Sequence, residues 1–527
     1  MKKFRRVRLK KKRRRLSPAS VDLGPHSGNL RLIAFSDYRV QDIQLLAEEI
    51  AKLSPPPDVI LYGGDDICRF RPSEDENLFE RLAACSRYGL FVVIGNDDEP
   101  GVARLVSGKM VFNVHRAPVI LGDYAILGVE GAPTPPGFVV HSEKEIAKHL
   151  ALQKKSVGQR KLIIVSHAPP AGTLDKALRF SPNRKPRSIS SRALRKFVDA
   201  NRRVALIICG HVHRCGGGHE KLNRAVVINA ACHDHFGEIG RFAITDLEFS
   251  GRAKVEWREI LEVSCVAGVG PSTVERLRQI GVRTVDELAK LSLASLARVG
   301  SLGRSPEILQ ARARAHSEAR PILLRPLQLS PGPEIFLDIE TDPDGGKKYV
   351  WLIGFCVGRD GPYKSYFAAT PDDEKRILTD FIHSIQAYPN ANVLTFSGSR
   401  FEERIFRERL STHQLDMSLC SRIVDLSPIL WRSIALPIGS EELKEAAKYF
   451  GYSFKHAELS GFEIAMCYQN EYCQLRNATK REKLEQRFLE YNEDDVRCLP
   501  SILEAIDKLQ LTVDTAATAS LRDEGAD

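Results

Sequence analysis

Two sets of polar residues in this 527-residue chain have the types and spacing that chemistry needs. The first lies in five short strings: Ser36-Asp37-Tyr38-Arg39, Gly63-Gly64-Asp65-Asp66, Gly95-Asn96-Asp97-Asp98, Ser166-His167-Ala168-Pro169-Pro170 and Gly210-His211-Val212-His213. Asp, Asn and His are hard and borderline ligands, and together they suit divalent cations held against a phosphate. The second set lies towards the C-terminus. Asp338 and Glu340 stand two apart in an apolar stretch, 334–341, that reads as a strand, so both carboxylates project from one face. Glu402 follows a strand-like run and a small-residue turn at Ser397-Gly398-Ser399, where a helical run opens. Tyr491 and Asp495 lie one turn apart on a strongly helical stretch and share a face. Converging carboxylates repel one another. A pair of Mg²⁺ or Mn²⁺ ions would neutralise them and clamp the attacking and leaving oxygens of a phosphodiester.

The elements that must position these groups are legible from hydrophobic pattern. Each string of the first set follows an apolar, β-rich run, at 30–35, 58–62, 90–94, 161–165 and 204–209. These runs predict buried strands, which places each polar cluster where a strand ends and a loop begins, the place where α/β sheets build sites. Strands alternate with helical runs over 29–250 and again after 333, the signature of an α/β protein. Boundaries fall near 28, near 260 and in the proline-rich stretch 321–333, which reads as a semi-rigid linker. The expected organisation is a basic tail over 1–28, folded units over 29–260, 261–325 and 333–512, and a frayed end over 513–527.

The order and spacing of the first five blocks resemble those of the calcineurin-like metallophosphoesterases, over residues 29–260. The resemblance implies a four-layer α/β/β/α sandwich. It implies one metal held by Asp37, a bridging Asp65 and His213, and another by Asp65, Asn96, His167 and His211, the ions being Mn²⁺ or else Zn²⁺, Fe²⁺ or Ni²⁺. Two departures bear on activity. Arg39 stands where the family has a ligand histidine; it cannot ligate a metal and repels a dication, although its fork suits phosphate oxygens. Asp97 stands where the family has a histidine that protonates the leaving oxygen, and it can donate only if its environment keeps it protonated. Fewer than two tightly held metals are expected there.

The C-terminal set resembles the DEDD-type exonucleases of the RNase H fold, and more closely the RNase H-like domains grouped with RecB-type nucleases. The resemblance implies metal ligation by Asp338, Glu340 and Asp495, a middle acid at Glu402, or at the adjacent Glu403, and a water-orienting role for Tyr491. Between the two regions, Gly268-Val269-Gly270 feeds a helical run carrying Arg276, and a second glycine turn and helix follow. This resembles a small all-α helix-hairpin-helix module, in which backbone N–H groups at a helix N-terminus meet a DNA phosphate.

The first fifteen residues hold eleven Lys or Arg and no acid, while the chain as a whole has 77 basic and 67 acidic residues. The positive balance therefore resides in the tail, expected to be a disordered arm that finds polyanions by salt-sensitive, sequence-blind attraction. No 18-residue apolar window exists, the basic start is not followed by an apolar signal core, and the eleven cysteines form no C-x-x-C pair. A cytosolic protein without a membrane span is expected. These readings converge on a metal-dependent nucleic-acid processing enzyme, a nuclease with DNA rather than RNA as its expected partner. The alternatives are a small-molecule phosphoesterase fused to a nuclease, or a DNA-binding scaffold with an inert N-terminal domain.

Overall fold

The structure, a computed structural model, describes residues 20–39, 42–73, 75–177, 187–232, 239–300, 302–342, 349–457 and 459–523, the last twelve of them by backbone alone. The basic segment 1–15 lies outside the described residues. Two compact units emerge, one reaching to Ile260 and one beginning at Leu261. No helix among the described residues is long and apolar enough to cross a membrane.

The first unit is layered as its strand alternation dictates. Its six-stranded sheet runs in the order Ala253–Ile260, Gly240–Leu247, Leu30–Phe35, Val59–Tyr62, Leu90–Val92 and Val111–Asn113. In the central strand Leu30, Leu32 and Ala34 face a second sheet, together with Leu61 and Phe91. Ile33 and Phe35 point the other way, onto Leu46 and Ile50 of helix Ile43–Ala51 and Phe79 and Leu82 of helix Leu78–Ala83. The second, seven-stranded sheet offers Ile163, Val165 and Leu206 to the first sheet. Its outer face offers Leu127, Ile164 and Ile207 to Leu150 of helix Glu143–Ser156 and Leu194 of helix Arg192–Asp199. Three stacked apolar layers thus make the α/β/β/α sandwich expected from the sequence. Strands Leu30–Phe35, Val59–Tyr62 and Leu90–Val92 run parallel, as do Lys161–Ser166 and Val204–Cys209, so their C-terminal ends gather the polar strings.

The second unit contains a five-stranded sheet in the order Lys364–Phe367, Val350–Val357, Glu334–Thr341, Asn392–Thr395 and Ile423–Asp425, its first three strands antiparallel and its last two parallel to Glu334–Thr341. Ile335, Leu337 and Ile339 face one layer of core, with Phe381 and Phe406. Phe336 faces the other, against Val496 and Leu499 of helix Ala478–Asp523. Period-two alternation therefore puts Asp338 and Glu340 on the side of that long helix.

Four helices, Pro271–Gln279, Val285–Lys290, Leu293–Ala297 and Pro306–Glu318, form a small cluster in the same unit around Val274, Leu277, Val285, Leu288 and Leu309. Its buried Arg312 pairs at 2.8 Å with Glu441, which Arg304 also holds at 3.0 Å. The proline-rich stretch is partly docked rather than a bare linker: Ile322–Leu323 pairs antiparallel with Ile434–Ala435, which satisfies backbone groups that a free linker would leave to water. The end expected to fray from 513 is helical as far as Asp523; three alanines and the lack of glycine or proline before Gly525 let the helix run on.

Candidate active sites

At the strand ends of the first unit the polar strings meet. Asp37, fully buried, accepts from the Ser36 hydroxyl at 2.6 Å and from the His211 N–H at 3.1 Å, and its other oxygen lies 2.9 Å from His213 Nε2. Burial alone would raise the Asp37 carboxyl; the His213 hydrogen bond and the nearby His167 outweigh it and hold it well below its usual range. Asp65 lies 3.5 Å from His167 Nε2 and accepts the Asp97 N–H at 3.0 Å. His167 Nε2 is also 2.8 Å from Asn96 Oδ1, and its Nδ1 is 2.9 Å from the Gly63 carbonyl, so the second nitrogen fixes the ring. The His211 ring stands 5.1 Å from that of His167, and burial pushes its pKa down to about 3. Ligand atoms of Asp37, Asp65 and His167 all lie within 4.8 Å of one another. The glycine of the third string is sterically required: a Cβ on Gly95 would fall 1.8 Å from Asp65 Oδ1.

Arg39 enters this cluster as a fixed cation. Its guanidinium lies 3.0 Å from Asp65, 2.9 Å from Asp66 and 2.7 Å from Asp97. Asp97, with half its side chain exposed, is thus a partner of Arg39 and also accepts from the Asn96 amide at 2.5 Å. The neighbouring Asp98, to which sequence reasoning gave no role, is buried and ties the loop together by accepting from Gly95 N–H at 2.8 Å and Ile67 N–H at 3.0 Å. Replacing Arg39 with histidine restores a neutral nitrogen ligand and removes the competing charge. Elemental analysis of desalted full-length protein should then find about one more tightly held Mn²⁺ per chain than in the wild type, and equal metal content would show that Arg39 is not what limits the site.

In the second unit Asp338, Glu340 and Asp495 bring their carboxylate oxygens within 4.8 Å of one another. Burial, reinforced by the Asp495 charge, pushes Glu340 up to about 8; burial pushes Asp495 up to about 6 and, with the charges of Glu340 and Asp495, raises Asp338. The Tyr491 hydroxyl donates to Asp495. Glu402 is buried near Asp338 but lies outside the cluster of three. Glu403 turns away, pairing with Arg407 at 2.8 Å, so Glu402 is the acid of that pair that the fold encloses.

Three further residues complete the site, and sequence reasoning gave none of them a role. The Asn492 amide donates to Asp338 Oδ2 at 2.7 Å and is held in turn by the Tyr363 hydroxyl at 2.9 Å. Gly354 pairs with Asp338 across the ladder and makes room for this amide, since a Cβ there would fall 1.6 Å from Asn492 Oδ1. Lys444 places its ammonium 4.0 Å from Asp495 Oδ1 and 4.0 Å from the centre of the Tyr491 ring, anchored to the Leu459 carbonyl at 2.9 Å. Asn492 lies next to Tyr491 in the chain and could have been found by that adjacency; Lys444 and Tyr363 carry no local signal.

Gly268 has φ +87° and Gly270 stands at the N-cap of helix Pro271–Gln279, with Arg276 half-buried on its last turn. A Cβ on Gly268 would meet Arg312 Nη1 at 2.8 Å, whereas one on Gly270 would meet nothing within 4 Å.

Residues 30–215 match the calcineurin-like phosphoesterases and residues 335–507 match the RNase H superfamily. No curated protein matches the chain. Among solved structures, TT1561 of Thermus thermophilus is 16% identical, with 43% of this chain and 98% of that one covered, at a TM-score of 0.32. A purple acid phosphatase from yellow lupin seeds is 14% identical, covering 45% of this chain and 52% of that one at a TM-score of 0.30, and a sulfate thiohydrolase of Thermus thermophilus is 11% identical, covering 45% and 57% at 0.25. At such scores these likenesses carry no weight. The helix-hairpin-helix resemblance has no counterpart among the matches. The other two resemblances read from the sequence are borne out: over residues 30–215 the chain belongs to the calcineurin-like phosphoesterases and over residues 335–507 to the RNase H superfamily, both of them families of metal-dependent hydrolases.

Proposed function

We propose that the chain is a metal-dependent nuclease whose chemistry resides in the C-terminal unit. The observation that carries this reading is the cluster of Asp338, Glu340 and Asp495, three acids whose raised proton affinity marks a site in want of positive charge. The residues fit divalent cations: Asp495 Oδ1 and Glu402 Oε2 are buried without a hydrogen-bond partner. Asp338, Glu340 and Asp495 would hold them, and Mg²⁺ or Mn²⁺ bound there would neutralise the carboxylates and activate both water and phosphodiester. Asn492 fixes the rotamer of Asp338. Tyr491, anchored on Asp495, orients the attacking water. Lys444 adds a fixed positive charge beside the scissile phosphate. Incubation of the purified protein with end-labelled single- and double-stranded DNA and RNA, with Mg²⁺ or Mn²⁺, tests this directly. Divalent-dependent shortening of DNA is expected, and intact label on every substrate would sink the proposal.

The N-terminal unit supports a second hydrolytic reading. His211 Nε2 is buried with no hydrogen-bond partner and faces His167, which fits one cation held by Asp65, Asn96, His167 and His211. Asp37 and His213 stand beside it at 2.9 Å from each other, and Arg39 is the group placed to grip phosphate oxygens on the side where a second cation would lie. A small phosphodiester or a nucleic-acid end is the substrate class this suits.

The segment 261–325 and the basic tail supply affinity in this proposal. Gly270→Ala leaves packing intact, so weakened DNA binding in that variant would report on the helix N-terminus alone, whereas Gly268→Ala also displaces Arg312. Deleting residues 1–15 should flatten the salt dependence of binding, because each phosphate neutralised on duplex DNA contributes about −0.9 to the log–log slope. An unchanged slope would assign the tail to another partner.

A further inference from the structure

A second histidine-rich cluster lies in the N-terminal unit, built from residues outside the five polar strings. His115 follows strand Val111–Asn113, Glu130 follows strand Tyr124–Val129, and His141 closes the loop that leads into helix Glu143–Ser156. Glu130 Oε1 lies 3.2 Å from His115 Nε2 and 3.3 Å from His141 Nε2, and one ligand atom from each residue falls within 4.8 Å of the others. Donors at roughly 2.0–2.1 Å from a tetrahedral ion stand about 3.3 Å apart, so the two measured edges already have the spacing of a zinc site. The side chains are 15–30% exposed, shielded enough to strengthen the bonds and open enough for an ion to enter.

From this geometry we infer that His115, Glu130 and His141 form a separate Zn²⁺ site, with a fourth position left to water. The surroundings suit it. The His115 ring stacks on that of His149 at 4.0 Å and has the Gly128 carbonyl within hydrogen-bond reach. Ligation through Nε2 moves the His115 proton to Nδ1, where a carbonyl is the usual acceptor. Burial pushes the His115 pKa down to about 4, which keeps the ring neutral as a ligand must be.

The position gives the ion a task. The loop between Glu130 and His141 clamps Asn96: Phe138 N–H and Val139 N–H donate to the Asn96 carbonyl at 2.6 and 3.1 Å, and the Asn96 amide donates to the Pro136 carbonyl at 3.3 Å. Zinc held by Glu130 and His141 would tie both ends of this loop to His115 and so staple the support of Asn96.

The full chain tests this, with Zn²⁺ alone as the probe. In an Asp65→Asn, Asp338→Asn background, where the other two centres are disabled, protein stripped with chelator, re-equilibrated with Zn²⁺ and desalted should retain about one ion per chain. Adding His141→Ala, or Glu130→Gln should the alanine variant misfold by circular dichroism, should abolish that retention, and X-ray absorption of the loaded background protein should show two histidine ligands. Absence of retained zinc in the background protein, or retention undiminished in a folded His141→Ala or Glu130→Gln variant, would overturn the site.

Discussion

Asp338→Asn should lower divalent-dependent cleavage of nucleic acid on the order of a hundred- to a thousandfold while leaving the fold intact and, without metal, more stable. Both halves follow from the same three carboxylates. The substitution keeps size and the partnership with Asn492 but removes one negative charge from a set whose oxygens lie within 4.8 Å, so the site loses the charge that attracts and orients the cations. The Asp338 carboxyl is held above its usual range by burial and by Glu340 and Asp495, so its ionised form is disfavoured in the metal-free protein and neutralising it relieves strain. Steady-state cleavage and thermal unfolding in chelator measure the two effects. A variant as active as the wild type would move the chemistry away from this cluster; one both inactive and unfolded would make Asp338 a structural residue.

How much of this could be read in advance depended on whether the signal was local. The strands were legible because runs such as 30–35 and 204–209 are apolar and end in Asp, Gly or His. The face shared by Asp338 and Glu340 follows from alternation alone, and the structure adds that Phe336, on the same face, packs against the helix that delivers Asp495. The metal-binding strings of the N-terminal unit were found as a set, and the structure brings Asp37, Asp65, Asn96, His167, His211 and His213 together at the strand ends. What sequence could not show was partnership across long separations. Arg39 reads as a missing ligand, and only its approach to Asp65, Asp66 and Asp97 shows it as a bridging cation. Lys444 lies 51 positions from Asp495 in the chain, and nothing in its neighbours marks it out. His115, Glu130 and His141 come from three loops with no spacing motif, so the cluster exists only once the sheet has folded.

Metal-free protein should lose stability as pH rises from about 5 to 8, and Mn²⁺ should restore it most at the alkaline end. The sign follows from the direction of the shifts. Glu340 is raised to about 8 from 4.5 and Asp495 to about 6 from 3.8, and Asp338 is raised as well, so between those values the folded state binds more protons than the unfolded chain. Stability then falls with pH, in full measure once the raised values are passed, whereas a salt-bridged carboxylate would give the opposite slope. A shift of one unit corresponds to about 1.4 kcal/mol, and since the acids titrate as a set the combined effect is on the order of a few kcal/mol. For a unit of this size that is a fall on the order of 5–10 °C in the unfolding midpoint. Divalent cations bind the ionised acids, so their protection grows as protons leave. The N-terminal centre titrates too, and Asp338→Asn separates the two contributions. Thermal unfolding of wild type and variant in chelator at pH 5.5 and 8, with and without Mn²⁺, should show a pH slope that is shallower in the variant and a Mn²⁺ shift that largely disappears. A midpoint that rises with pH in chelator, or a slope that Asp338→Asn leaves untouched, would mean that the three acids are not the proton-hungry cluster the geometry describes.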